Sequence, residues 1–147
     1  MGAVLNVPSR EAIQRLQDVM VNMPQAEVET SHYFSGGMYC RKVSRKAGTL
    51  IVGKVHKAHH FFLVAAGEII VWTETGMRTL RAGDVIESKP GTKRVTLATT
   101  DAVGITVHRT DHTDPELIEE ELIEYEEDAR FDALNHVKGV LLEGELS

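Results

Sequence analysis

The feature that most constrains the fold is a series of short apolar segments, separated by glycines, between residues 38 and 110. Gly48, Gly67, Gly76, Gly83 and Gly91 divide this region at short intervals. Between them apolar and polar residues alternate as they do in half-buried strands. Eight strands are predicted, over residues 38–44, 49–56, 59–66, 68–74, 77–81, 84–88, 92–99 and 102–109. Because no helical segments alternate with them, we expect a mainly β barrel or sandwich rather than a parallel α/β sheet.

A helix is predicted on each side of this β region. Ser9 is a suitable N-cap for a helix over residues 10–22, which Pro24 ends, and residues 25–31 are predicted to be a connector. Asp114 followed by Pro115 predicts the start of an acidic C-terminal helix, since proline needs no backbone N–H at a first helical position. The predicted buried stripe of that helix is Leu117, Ile118, Leu122, Tyr125, Ala129 and Leu134.

The length of 147 residues indicates one domain with three parts. Residues 1–37 are predicted to form the N-terminal helix and connector, residues 38–112 the β-barrel, and residues 113–147 the acidic helical segment. Glu74, Thr75 and Gly76 are predicted to connect two strands as a hairpin.

Composition narrows the class of protein. The single cysteine, Cys40, excludes an intrachain disulfide framework and a cysteine-based zinc site. The sequence has neither a signal-peptide pattern nor an apolar run of about 18 residues, which predicts a cytoplasmic protein that does not enter a membrane. The net charge is −6, with basic residues in excess over 38–112 and acidic residues over 113–147. Nucleic acid is an unlikely partner, because a solvated edge strand explains the basic run at residues 41–46.

The segment from Gly48 to Gly67 resembles the first conserved motif of the cupin superfamily, whose members are small jelly-roll barrels. The spacing of that motif is kept, but Lys54 stands where the first histidine is expected and His60 where the glutamate is expected; His56 matches the motif. The chain also resembles small cupin-like proteins that are encoded by tailed bacteriophages. The resemblance implies a cupin-like jelly-roll barrel with the two predicted helices attached.

The second cupin motif is kept in spacing at Gly83, Gly91, Arg94 and Ala98. Arg94 stands where this motif has its histidine, and Ala98 where it has an asparagine. The topology of the family would therefore place Arg94 across the barrel from the residues of the first motif.

One hypothesis for function is a cationic pocket that binds an anionic small molecule: a nucleotide, a sugar phosphate or a carboxylate. Alternation along the strands places Lys54 and His56 on the same face as Leu50 and Val52, and His60 on the same face as Phe62 and Val64. With Arg94 these side chains would form the pocket, and Lys93 would lie at its rim. Arginine matches the planar geometry of a carboxylate, and lysine supplies a point charge.

A second hypothesis is a metal-dependent cupin enzyme of the isomerase or oxygenase type, with Zn, Fe, Ni or Mn bound. His56 and His60 would be ligands, and a third is needed because two histidines are rarely sufficient. His108 and His59 are the nearby candidates and His32 is a distant one, but His59 lies on the opposite face of a regular strand from His60. If Val103, Ile105 and Val107 face inward, however, His108 faces outward unless a bulge intervenes. The sequence assigns no catalytic residue.

A third hypothesis is that the barrel has lost its site and serves as an interaction or scaffold module of a phage. In all three cases a homodimer is expected, because sheet edges and helix faces need covering and cupins often pair.

Overall fold

In a computed structural model of the chain, the described residues are 9–23, 25–26, 28–73 and 76–124. This part of the chain forms the helices α1 (Arg10–Met20) and α2 (Pro115–Leu122) and nine strands. The strands are β1 (Glu29–Ser35), β2 (Met38–Arg45), β3 (Leu50–Val52), β4 (His60–Ala66), β5 (Glu68–Thr73), β6 (Gly76–Arg81), β7 (Val85–Ser88), β8 (Val95–Ala98) and β9 (Ala102–Arg109). The predicted mainly β architecture with two helices is confirmed.

The strands form two antiparallel sheets that enclose a common cavity. The five-stranded sheet has the order β1-β2-β9-β4-β7, and the four-stranded sheet has the order β3-β8-β5-β6. Arg45 of the first sheet donates a hydrogen bond from Nη1 to Oγ1 of Thr96 in the second, at 2.7 Å. Strands distant in the chain are therefore neighbours, as expected of a jelly-roll barrel.

Two strands differ from the sequence prediction. Residues 29–35 form β1 and pair along their whole length with β2, although the first part of this segment was predicted to be a connector. β3 ends at Val52 and not at residue 56. The predicted hairpin residues Glu74 and Thr75 lie outside the described residues, but β5 and β6 on either side of them pair with each other.

The apolar core fills one end of the barrel. Its buried members are Phe62, Val64, Ile69, Val71, Leu80, Ile86, Ala98 and Ala102. Ser9 caps α1 by accepting a hydrogen bond from the backbone N–H of Ala12 at 3.0 Å. Ile13 of this helix packs on Val52 and Val95, with Trp72 beside them. Pro24, the predicted end of the helix, lies outside the described residues.

Helix α2 begins where the sequence predicts, with the Asp114 carboxylate accepting a hydrogen bond from the Glu116 N–H at 3.0 Å. Ile118 and Leu122 are buried against Tyr39, whereas Leu117, predicted for the same stripe, is 44% exposed. Tyr125, Ala129 and Leu134 lie outside the described residues. No helix within the described ranges is long and apolar enough to cross a membrane.

Candidate metal and ligand site

The opposite end of the barrel encloses a cavity of about 170 Å³. Its walls come from both sheets, and α2 contributes Ile118, Glu119 and Leu122. This end is polar because the inward positions change character along each strand. On β4, His60 precedes Phe62 and Val64, and on β7 Ser88 follows Ile86. The same strands therefore build the apolar core at one end and the cavity at the other.

Strand β9 supplies the third histidine. Gly104, Thr106 and His108 line the cavity, so the valines and isoleucine between them face outward. The premise that Val103, Ile105 and Val107 face inward was wrong, and His108 enters the cavity without a bulge at its position. The inward face of β9 is polar where it borders the cavity rather than the apolar core.

Lys54 and His56 reach the cavity from a loop and not from a strand. β3 ends at Val52, and its side chains Leu50 and Val52 pack toward α1, so the predicted shared face of residues 50, 52, 54 and 56 was wrong. Gly53 donates its N–H to the Arg94 carbonyl at 2.7 Å, and Gly91 donates to the His56 carbonyl at 2.9 Å. These two bonds tie the loop to the segment before β8.

His56, His60 and His108 lie together at the centre of the site. One ring nitrogen of each histidine can be chosen so that all three atoms lie within 4.8 Å of one another. The ring centroids of His56 and His60 are 4.0 Å apart, and those of His60 and His108 are 4.6 Å apart. Three neighbouring imidazoles of this kind can hold a metal ion.

The environment keeps these imidazoles neutral at physiological pH. Burial lowers the pKa of His56 to about 3, and the neighbouring His60 and His108 add to the effect. Burial, followed by the charges of His60 and Arg41, likewise lowers the pKa of His108 to about 3. The pKa of His60 is lowered by burial, against a hydrogen bond to the Ala58 carbonyl that raises it. A neutral imidazole has a lone pair available for a metal.

Backbone carbonyls also orient two of the rings. His60 Nδ1 lies 3.3 Å from the Ala58 carbonyl oxygen, which selects the tautomer that carries its proton on Nδ1. The Lys54 backbone acts in the same direction on His56, since it raises the pKa of that ring against the larger effect of burial. Histidines that ligate metals usually donate their second N–H in this way, which fixes the ring and leaves the other nitrogen free to bind.

The predicted cations differ in their surroundings. Lys54 lines the cavity and donates a hydrogen bond from Nζ to Glu119 Oε1 at 2.7 Å. Arg94 also lines it, and donates from Nη1 to Ser88 Oγ and from Nη2 to the Glu87 carbonyl at 3.1 Å. Lys93 is absent from the described lining of the cavity. Lys54 and Arg94 therefore already have protein partners.

Two arginines that sequence reasoning placed on a solvated edge also line the cavity. Arg41 and Arg45 belong to β2, which lies between β1 and β9 and is not an edge strand. Their inward neighbours Tyr39 and Val43 are buried. Alternation along β2 places residues 39, 41, 43 and 45 on one face of the strand. Because two of these four residues are basic, the sequence favoured a face exposed to solvent.

Tyr39 and His32 also line the cavity; His32, the distant candidate for a metal ligand, is not part of the cluster of three histidines, and the sequence assigned Tyr39 no role in the site. Tyr39 Oη shares a hydrogen bond with His32 Nδ1 at 2.7 Å, and the Tyr39 ring stacks on His108 with centroids 5.9 Å apart. Burial raises the pKa of Tyr39 and lowers that of His32. A group that can donate or accept a proton therefore stands next to the three histidines.

Comparison with known proteins gives evidence on the fold. No protein-family model and no curated protein matches the sequence significantly. Among solved structures, the chain is similar to the Cupin_2 domain of an XRE family transcriptional regulator from Enterobacter cloacae. That match has 14% identity and a TM-score of 0.51, and it covers 60% of this chain and 100% of that one.

Two further structures show the same likeness. A cupin superfamily protein from Desulfitobacterium hafniense matches with 13% identity and a TM-score of 0.52, over 72% of this chain and 96% of its own. A salicylate 1,2-dioxygenase from Pseudaminobacter salicylatoxidans matches with 15% identity and a TM-score of 0.53, over 75% of this chain and 34% of its own. At these identities the likeness is one of fold.

Proposed function

Because the chain has the cupin fold, we propose that it is a metal-dependent protein that binds a small anionic molecule inside its barrel. His56, His60 and His108 would hold a divalent transition metal ion, and the anion would bind beside it. The observation that supports this proposal is the cluster of three neutral histidines, whose ligand atoms lie within 4.8 Å of one another at the wall of the cavity.

The residues fit a metal ion in geometry and chemistry. At a tetrahedral zinc ion with zinc–nitrogen bonds of 2.0–2.1 Å, the ligand atoms lie about 3.4 Å from each other. The three nitrogen atoms, which lie within 4.8 Å of one another, would have to approach each other by at most about 1.4 Å to bind one such ion. Three imidazoles favour Zn, Fe or Ni over Mn, which prefers oxygen ligands. A set of three protein ligands leaves further coordination positions open, which is typical of catalytic rather than structural sites.

The cations at the cupin ligand positions do not prevent this. The charge of Lys54 is balanced by Glu119, whose carboxylate accepts its hydrogen bond at 2.7 Å. Arg94 is directed toward Ser88 and the Glu87 carbonyl. Arg94 stands where the second cupin motif has a histidine ligand. In this proposal His108, which lies outside both motifs, serves as that ligand.

The anionic ligand is the second part of the proposal. Lys54, Arg41, Arg45 and Arg94 line the cavity, and Glu119 is the one acidic residue among its described lining. This excess of positive charge favours an anion. The cavity volume of about 170 Å³ lies below the roughly 300–1,000 Å³ of drug-sized sites. Of the three predicted ligand classes, a small carboxylate or a small phosphorylated molecule fits better than a nucleotide.

An enzymatic reaction of the isomerase or oxygenase type is supported by the Tyr39–His32 pair. A bound metal would polarise a ligand oxygen, while the Tyr39 hydroxyl, 2.7 Å from His32 Nδ1, could donate or accept a proton nearby. The same fold carries a dioxygenase, so the architecture is compatible with such chemistry.

The test is the metal content of the purified protein, measured by inductively coupled plasma mass spectrometry after incubation with Zn²⁺, Fe²⁺ or Ni²⁺ and desalting. We expect about one ion per chain in the wild type. His60→Ala and His108→Ala should lower the affinity at least about tenfold, because each removes one of three ligands.

The matched control is His59→Ala, which removes an imidazole next to His60 in sequence whose side chain is 64% exposed. It should bind the metal as the wild type does. Stoichiometric metal in both His60→Ala and His108→Ala, or no metal in the wild type, would show the proposal to be wrong.

A further inference from the structure

Arg41 and Arg45 present buried nitrogen atoms to the cavity. Arg45 is only 6% exposed. Its Nη1 donates to Thr96, but its Nε and the Nη2 of Arg41 are buried and have no hydrogen-bond partner among the residues that the structure describes. Burying a guanidinium without a counter-charge is costly, so these groups need an explanation other than stability.

Acidic side chains supply that counter-charge only in part, since Glu119 attracts Arg41 electrostatically but is hydrogen-bonded to Lys54. Glu119 carries the cavity's one carboxylate within the described lining, and it is engaged with Lys54 at 2.7 Å. Neither Arg41 nor Arg45 has an ion pair within residues 9–124 as described. Burial is the main cause that lowers the pKa of Arg45 to about 10, and the charge of Arg41 adds to it.

Arg41 and Arg45 extend from inward positions of β2 that are separated by Val43, which also lines the cavity. Arg41 is paired across β2 and β9 with Thr106, two residues from His108. At the level of Gly104, Arg45 Nη2 lies 3.6 Å from the position a Cβ would take there. A strand rises about 3.3 Å per residue, so the level of Arg41 is roughly 7 Å from that of His108. A short molecule can span this distance.

We propose that Arg41 and Arg45 bind the carboxylate of a small organic acid whose other end reaches the three histidines. A guanidinium matches a planar carboxylate with two parallel hydrogen bonds. Val43, Ile51 and Phe62 line the same part of the cavity and suit a compact apolar body. This inference rests on the proposed function for the identity of the cavity as the ligand site. It assigns the anion to residues other than the Lys54 and Arg94 that the sequence suggested.

The experiment combines thermal denaturation with calorimetric titration of the full chain. The probes are propionate, benzoate and succinate, with benzamide as a neutral analogue of benzoate and inorganic phosphate as a different oxyanion. At least one carboxylate should bind the wild type and raise its melting midpoint, whereas benzamide should not. Arg41→Met and Arg45→Met should weaken the binding of that carboxylate at least tenfold.

The same variants report on the protein without ligand. Since Arg45→Met removes a buried charge that has no ion pair among the described residues, it should raise the melting midpoint in buffer free of organic acids, by about 4 °C. Arg45→Lys keeps the positive charge but lacks the planar guanidinium group. This variant should fold normally but lose its affinity for the carboxylate. Arg78→Met, on an exposed position of β6, is the control and should bind carboxylate as the wild type does.

Several results would overturn the proposal: carboxylate binding that is unchanged in both methionine variants, binding of phosphate without any carboxylate, or no binding by the three acids. A lower melting midpoint in Arg45→Met together with wild-type affinity would make the arginine structural. Metal content separates the two proposals, because Arg41→Met and Arg45→Met should keep it. Carboxylate binding that needs Arg45 in a wild type that takes up no metal would refute the metal centre alone.

Discussion

Gly104 shows how one residue without a side chain can shape the cavity wall. A Cβ at this position would lie 2.9 Å from Cε1 of Phe62 and 3.6 Å from Nη2 of Arg45. The first distance is below van der Waals contact, so the Phe62 ring would have to move. The absence of a side chain at Gly104 thus lets the ring that borders the apolar core and a guanidinium of the cavity approach the same strand.

We therefore expect Gly104→Ala to lower the free energy of unfolding by about 1–3 kcal/mol, the usual cost of overpacking a core. Urea denaturation measures it. If the Phe62 ring is the cause, Phe62→Leu should recover part of the loss, so that the double variant is more stable than the sum of the two single changes implies. A strictly additive double variant would place the strain elsewhere.

At the scale of residues, sequence alternation succeeded for β4 and failed for β9 for a physical reason. Alternation correctly placed His60, Phe62 and Val64 on one face. For β9 it was combined with the rule that valine and isoleucine face inward, and that rule does not hold where the interior is a polar cavity. The same rule concealed Arg41 and Arg45. Spacing alone gives the two faces of a strand but does not say which one is inside.

At the scale of elements, the strands with apolar alternation were predicted well and the others were not. β1 has the sequence Glu-Thr-Ser-His-Tyr-Phe-Ser and contains no buried residue. Its sequence therefore gives little apolar signal. Its pairing with β2 supplies the hydrogen bonds that hold it. β3 stops at Val52 because Gly53 and the following residues bend into the cavity, a course that depends on contacts with Arg94 and Gly91 far along the chain.

Helix α2 contributes residues to the wall of the cavity, and its buried and exposed faces differ enough to be tested. Ile118 is 6% exposed and packs near Tyr39. We expect Ile118→Ala to cost roughly 2 kcal/mol or more in the free energy of unfolding, as truncation of a buried isoleucine does. Leu117→Ala, one residue earlier on the exposed face, should change it by less than about 0.5 kcal/mol.

Chemical denaturation of both variants measures this difference. Equal and small losses would mean that α2 is not held against the barrel in solution. Equal and large losses would mean that Leu117 is covered, and the orientation of the helix would then be wrong.

At the scale of the whole molecule, the outer face of the five-stranded sheet carries an apolar patch formed by Phe61, Leu63, Val85, Ile105 and Val107. Cross-strand pairing places Phe61 beside Val107, and Leu63 beside both Ile105 and Val85. Phe61 is 50% exposed and Val85 56%. A contiguous apolar patch of this kind is typical of a surface that pairs with another protein.

We propose that this patch pairs with its counterpart in a second copy of the chain, which is the homodimer expected from the sequence. Phe61→Glu should then weaken dimerisation at least about tenfold, because a central aromatic residue is replaced by a charge. Light scattering coupled to size-exclusion chromatography measures the mass. Met77→Glu, which alters an exposed apolar residue of the other sheet, is the control. A monomeric wild type, or a dimer that Phe61→Glu leaves intact, would contradict this prediction.

The barrel is divided into an apolar end, which holds the core, and a polar end, which holds the cavity and the three histidines. Phe62 is the boundary, since it belongs to the apolar core and also lines the cavity. The cavity residues beyond it toward the histidines are not members of the apolar core. Lys54 and Arg94, which stand where the two cupin motifs have a histidine, therefore lie outside the packing that holds the barrel together. Stability and the chemistry of the cavity can therefore be altered by substitutions at different positions of the same barrel.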